Sequence, residues 1–241
     1  MTELAGKTTF ITGGGKGIGR AVALAFAEAG ADVAVCGREA EALEAVAREI
    51  QALGRKALAV TADVSREPDV ERAVGLVLET FGRLDILVNN AGQYLTKPFT
   101  ELTTADWDRL HGTNLRGTFL VCKAVVPGMI ERGAGHIFNI ASVGGRMPMK
   151  HAAAYCASKY GVVGFSKALA RELKPHGIKL QIAYPYQVDS HGRVDWAAED
   201  PARTRWITPA EFAAVLVENA RRPHRVLIED LVFEPTTEAR R

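Results

Sequence analysis

Tyr155 and Lys159 stand four positions apart in the run Tyr-Cys-Ala-Ser-Lys, which puts a phenol and an ammonium on one face of a helix, one turn apart. A phenol with its ordinary pKa of about 10 is a poor acid or base at neutral pH, and a neighbouring ammonium favours the phenolate. Such a pair could pass a proton to or from a bound oxygen. The spacing alone is common, and a solvated surface pair would look the same. Ser142 lies thirteen positions before Tyr155, just past the apolar run Phe138-Asn139-Ile140. Asn114 precedes that run, and Asn89-Asn90-Ala91-Gly92 follows another.

Near the start, Thr12-Gly13-Gly14-Gly15-Lys16-Gly17-Ile18-Gly19 joins a β-branched run to a helical one. A strand-to-helix turn with few side chains lets backbone N–H groups and a helix dipole face a pyrophosphate. The spacing is not G-x-G-x-x-G, whose last position would fall on Ile18. It is not a P-loop either, because Lys16 is followed by Gly17. It fits T-G-x-x-x-G-x-G. About twenty residues later an NAD site carries Asp or Glu for the ribose 2′-hydroxyl, whereas a 2′-phosphate calls for a cation. Gly37 occupies that acidic place, Arg38 follows it, and Lys16 adds a second cation. These types favour NADP(H) over NAD(H). Taken singly, the loop could be a plain glycine turn and Arg38 a solvated residue.

The elements that must hold these groups alternate in type. Short apolar runs predict strands over Thr8–Thr12, Val33–Cys36, Ala57–Thr61, Asp85–Val88, His136–Ile140, Ile178–Tyr184 and Arg225–Leu231. Amphipathic stretches predict helices over Ile18–Ala29, Glu39–Leu53, Pro68–Phe81, Thr104–Glu131, Ala153–Lys174 and Pro209–Ala220. Strands separated by helices imply βαβ crossovers and a parallel sheet covered on both faces. The candidate residues then fall at carboxyl ends of strands or on helices beside them, where open α/β sheets bind ligands.

Composition narrows the remaining classes. The 241 residues are 47% apolar and 24% charged, with a formal net charge of +2, and the basic residues form no stripe. Nucleic acid is therefore not an expected partner. No segment reaches the ~18 uncharged apolar residues of a membrane span, and the first residues lack the build of a signal peptide. Cys36, Cys122 and Cys156 are odd in number and far apart, as for free thiols in a reducing compartment. A cytoplasmic protein is expected. The six histidines share no ligand spacing, so no metal site is expected.

From Leu4 to about Pro235 the chain resembles the short-chain dehydrogenases/reductases. The motifs that carry the likeness are the glycine loop, Asp63-Val64, Asn89-Asn90-Ala91-Gly92, Asn114, Ser142 and Tyr155-x-x-x-Lys159. Each is weak alone; their order and spacing together are specific. The resemblance implies a single domain with a doubly wound Rossmann fold, a seven-stranded parallel sheet, and hydride transfer between NADP(H) and a small carbonyl or alcohol. It implies that Tyr155 is the proton donor or base, that Ser142 bonds the substrate oxygen, and that Lys159 binds the nicotinamide ribose and lowers the Tyr155 pKa. Asn114 would hold a water linking Lys159 to solvent. The cofactor would lie on Gly13, Lys16, Gly17, Ile18, Gly19 and Arg38, with Asp63 and Val64 at the adenine. Asn90, Ala91, Gly92, Pro185, Val188 and Ser190 would line its other half. A homodimer or homotetramer is implied, built on the two long helices.

The chain departs from that family after the sixth strand, where Tyr186 stands at the usual glycine of Pro-Gly. It must accept ordinary backbone geometry or project into the pocket, and could equally face solvent. Gln93, Tyr94, Met147 and Tyr186 are the expected substrate-side residues, with Ser142. A short substrate-covering segment is expected over about 190–208, anchored by Trp196 and Trp206. Two other functions use the same pattern: a cofactor-binding scaffold without turnover, and reduction of a C=N or C=C bond. The full set of Asn114, Ser142, Tyr155 and Lys159 weighs against the scaffold.

Overall fold

The computed structural model describes residues 4–190 and 206–236. Seven strands, β1 (Thr8–Thr12), β2 (Asp32–Gly37), β3 (Ala57–Thr61), β4 (Ile86–Asn89), β5 (Gly135–Ile140), β6 (Ile178–Pro185) and β7 (Asp230–Phe233), form one sheet in the order β3-β2-β1-β4-β5-β6-β7. Every pairing is parallel. The helices are α1 (Gly17–Glu28), α2 (Ala40–Ala52), α3 (Glu67–Phe81), α4 (Thr104–His111), α5 (Gly117–Arg132), α6 (Ala153–Leu173) and α7 (Pro209–Arg221). This is the doubly wound Rossmann architecture expected for the sequence.

Both faces of the sheet are dry. Ile11, Val33, Val35, Val88 and Phe138 pack against α1, α2 and α7, while Phe10, Ala34, Leu87, Ile137 and Leu180 pack against α3, α5 and α6. That double burial explains why the strands read as continuous apolar runs. Strand order reverses between β1 and β4. Their connections therefore leave in opposite directions and open a crevice beyond the carboxyl ends.

Two expectations need correcting. The stretch Thr104–Glu131 is not one regular helix: α4 passes through a π turn, Gly112–Arg116, before α5 begins. Gly112 and Gly117 bracket the turn, and Gly117 packs so closely on Val64 that a Cβ there would lie 2.8 Å from Val64 Cγ2. The wider turn carries Asn114, which is buried. The last strand also begins later than Arg225 and runs past Leu231, because its pairing with β6 starts at Ile182–Asp230 and ends at Pro185–Phe233. Val226 and Ile228, the apolar signal behind the earlier start, are exposed. Most of the expected substrate-covering segment, with Trp196, lies outside the described residues.

Candidate active site

The glycine loop is held by side chains from the neighbouring strand. Thr12 Oγ1 accepts from the backbone N–H groups of Asn90 and Ala91, both at 3.0 Å, and Asn90 Nδ2 donates to the carbonyls of Thr12 (3.0 Å) and Gly13 (3.1 Å). The loop and the β4 end are thereby stitched across the switch point. Gly13 has φ +66°, and a Cβ on it would lie 2.9 Å from Ala91 Cα. A Cβ on Gly19 would collide with the Gly13 carbonyl oxygen. At these two positions only glycine allows the helix start and the β4 loop to approach so closely.

A cavity of about 340 Å³ opens above this stitch. Its lining includes Gly13, Lys16, Gly17, Ile18, Gly19, Arg38, Asp63, Val64, Asn90, Ala91 and Gly92. On the other side it includes Gln93, Tyr94, Ser142, Tyr155, Lys159, Pro185, Tyr186, Val188 and Ser190. Two expected residues stand apart. Met147 is exposed and does not line the cavity, and Asn114 is buried behind the Gly92 wall.

Lys159 is buried, and its Nζ donates to the Ile140 carbonyl at 2.8 Å. Burial alone draws its pKa down to about 8. A Cβ on Gly92 would stand 3.5 Å from Lys159 Nζ and 3.3 Å from Asn114 Oδ1, so both groups flank the same small space. Tyr155 lies with its ring edge-on to Tyr94, centroids 4.7 Å apart, in a small apolar cluster with Ala152, Cys156 and Met149. Ser142 Oγ accepts from Gly144 N–H at 3.1 Å, which leaves its own hydrogen to donate.

Asn114 makes a splint that its residue type alone did not reveal. Its Oδ1 accepts from Gln93 N–H at 2.7 Å, while its Nδ2 donates to the Gln93 carbonyl (3.0 Å) and to Ser158 Oγ (2.9 Å). Ser158 in turn donates to the Tyr155 carbonyl at 2.7 Å. The β4 loop, the π turn and the first turn of α6 are thus one hydrogen-bonded unit. Ser158 escaped the sequence reading, although its place beside Lys159 on α6 was visible.

Charge gathers at the opposite end. Lys16 Nζ lies 2.7 Å from Glu39 Oε1, and this ammonium holds the Glu39 carboxyl below its usual range. Partial burial raises the Asp63 pKa, but bonds from the Ser65 hydroxyl and N–H and the nearby Arg38 and Arg66 cations bring it below normal. Glu39, Ala42, Leu43 and Thr113 also line the cavity without having been singled out.

Beyond β6, Tyr186 donates its N–H to the Phe233 carbonyl at 3.1 Å, continuing the pairing with β7. Among the described residues only His151 combines a side chain with positive φ, so Tyr186 keeps ordinary backbone geometry and lines the cavity. Ser190 closes over the loop, with its Cβ 3.4 Å from where a Gly17 Cβ would be.

Among the described residues no group of three His, Cys, Asp or Glu could hold a metal ion, and no helix is long and apolar enough to cross a membrane.

A model of the short chain dehydrogenase family matches residues 7–200. An uncharacterized oxidoreductase of Staphylococcus aureus is 32% identical over 98% of this chain and 100% of its own length. A D-threitol dehydrogenase of Mycolicibacterium smegmatis is 41% identical over 76% of this chain and 70% of its own. Among solved structures, a metagenomic short-chain oxidoreductase in complex with NADP superposes with a TM-score of 0.85 at 33% identity, covering 98% of this chain and 100% of that one.

Proposed function

The chain belongs to the short-chain dehydrogenases/reductases, oxidoreductases that use a nicotinamide cofactor, and on that premise we propose that it is an NADP(H)-dependent enzyme interconverting a carbonyl and an alcohol. The observation that carries the reading is one shared cavity: Ser142, Tyr155 and Lys159 line the same space as the glycine loop and Arg38. A solved relative that holds NADP and a relative named for D-threitol support the cofactor and the alcohol chemistry.

The residues present fit the cofactor. Gly13, Gly17 and Gly19 line the cavity without side chains at the N-terminus of α1, which suits a pyrophosphate. Arg38 and Lys16 would meet the 2′-phosphate, and Asp63 and Val64 the adenine. Asn90, Ala91 and Gly92, with Pro185, Val188 and Ser190, would line the nicotinamide half. When bound, the nicotinamide supplies or accepts the hydride.

The protein's own part is proton transfer and orientation. In reduction, Tyr155 gives its phenolic proton to the carbonyl oxygen, which Ser142 holds by a hydrogen bond; in oxidation Tyr155 takes the hydroxyl proton. The Lys159 ammonium stabilises the phenolate left behind. The Asn114 main-chain carbonyl, which accepts from the Thr118 hydroxyl at 2.8 Å, would also hold a water joining Lys159 to solvent. Gln93, Tyr94 and Tyr186 shape the substrate side.

A panel of ketones, aldehydes and alcohols followed by NADPH absorbance, with Tyr155→Phe as the control, tests the reading. The variant should lose at least ~100-fold in kcat while still binding cofactor. Near-normal turnover in Tyr155→Phe would remove the proton-transfer assignment.

The reading extends to a single domain with a substrate-covering segment at about 190–208, and to a homodimer or homotetramer. Phe119 on α5 and Tyr160 on α6 are exposed on the helices expected to pair, which supports association there. The buried free thiols of Cys36, Cys122 and Cys156 suit the cytoplasm.

A further inference from the structure

Four charged residues line the end of the cavity beyond β2 and β3: Lys16, Arg38, Glu39 and Asp63. Asp63 is occupied within its own loop, accepting from the Ser65 N–H at 2.9 Å and the Ser65 hydroxyl at 2.7 Å. Glu39 is not. It stands just before α2, where a short polar side chain would accept from the first-turn N–H groups, yet it makes no such bond. Its carboxylate reaches the glycine loop instead and meets Lys16 Nζ at 2.7 Å, across 23 residues of sequence. Both side chains are more than half exposed, at 68% and 64%, so the pair adds little to folding. Its consequence falls on whatever anion enters that end of the cavity.

We propose that Glu39 sets how sharply the enzyme distinguishes the two dinucleotides, because its carboxylate competes with a ribose 2′-phosphate for the Lys16 ammonium. The inference rests on the NADP(H) reading above and deepens it. A ligand with the phosphate must draw Lys16 away from Glu39 and leave that carboxylate facing a second anion. A ligand without it leaves the ion pair intact. Arg38 opens the gap between the two cofactors, and Glu39 narrows it. Specificity is a difference of affinities, and a repulsive element tunes it as effectively as an attractive one.

Adenosine 2′,5′-bisphosphate and 5′-AMP isolate the phosphate from catalysis, and titration calorimetry gives the affinity of each. Glu39→Gln should tighten the bisphosphate about three- to fivefold, the scale of an exposed charge pair, and leave 5′-AMP unchanged. The ratio of kcat/KM for NADPH over NADH should rise by the same factor. In a Lys16→Met background the gain should shrink to the part due to direct repulsion between the carboxylate and the phosphate. An unchanged or weaker bisphosphate affinity in Glu39→Gln overturns the proposal, as does a gain undiminished without Lys16. Glu39 makes no capping bond, so the variant removes none, and circular dichroism checks its fold. Arg38→Asp separates the two levels of inference. If the wild-type protein shows no preference for the bisphosphate and Arg38→Asp changes nothing, the NADP(H) reading fails. If Arg38→Asp abolishes a preference that Glu39→Gln does not move, only the role of Glu39 fails.

Discussion

At the carboxyl edge of the sheet Lys159 is buried and its pKa is drawn down to about 8; at the amino edge His136 is buried and its pKa falls to about 3. Loss of solvent is the main cause of both shifts, with the nearby Lys179 and His224 adding to the second. Their surroundings differ. His136 is stacked on Phe138 and its Nε2 lies 2.7 Å from Gln181 Oε1, while Lys179 beside it donates to the carbonyl of Arg222 at the end of α7. None of these groups lines the cavity. Lys159 donates to the Ile140 carbonyl and faces the cavity. A shifted pKa therefore marks a working group only where the buried charge opens on a space that a ligand can enter.

Changes at the carboxyl edge should lower turnover, and changes at the amino edge should lower stability. The largest effect is expected from Lys159→Met, which should cut turnover by ~100-fold or more. Its melting temperature should hold or rise, because an ammonium without a counter-charge leaves the interior. Steady-state rates beside thermal denaturation check both halves, and a steep loss of stability with intact turnover would reverse the contrast.

Acid should act through the other edge. His136 binds a proton in the unfolded chain below its ordinary value of 6.5 but in the folded chain only near 3. Its contribution is thus complete above pH 6.5 and is lost as the pH falls from 6.5 toward 3. Urea midpoints measured down that range should decline, and His136→Phe should flatten the decline without altering kcat/KM at neutral pH.

Ser158→Ala tests the splint that joins the two kinds of behaviour. It strands a buried Asn114 donor, at a cost of about 1–3 kcal/mol, and frees the first turn of α6. Turnover should fall roughly tenfold by misplacement of Tyr155, and Ser158→Thr, which restores the hydroxyl, should recover much of it. Equal kcat in wild type and Ser158→Ala would make the splint purely structural. The smallest effect is expected from Tyr186→Gly, read as a shift among substrates in the carbonyl panel. Cofactor affinity should stay as it was, and no shift in either quantity would make Tyr186 a bystander.

Much of the architecture was legible because it repeats in sequence. Strands buried on both faces must be apolar throughout, and helices packed on one side must be periodic, so order and sheet class followed without tertiary information. The glycine loop was legible for a related reason: its function depends on missing side chains at fixed spacing. The break between α4 and α5 was not, because the π turn depends on Asn114 swinging into the β4 loop, a contact made 21 residues away. The start of β7 was hidden too, since Val226 and Ile228 are apolar yet lie before the paired register.

Residue types and local spacing alone determined that Tyr155 and Lys159 share a helix face, that Gly13 through Gly19 form a turn without bulk, and that no acid stands at position 37. Those properties belong to neighbours in the chain. Only the tertiary structure decided that Met147 is exposed outside the cavity lining, that Tyr186 lines it with ordinary backbone geometry, and that Asn114 splints Gln93 to Ser158. It also decided that Lys16 is already paired with Glu39. Each of these depends on which side chains meet across strands and loops far apart in sequence, and that follows from packing rather than periodicity.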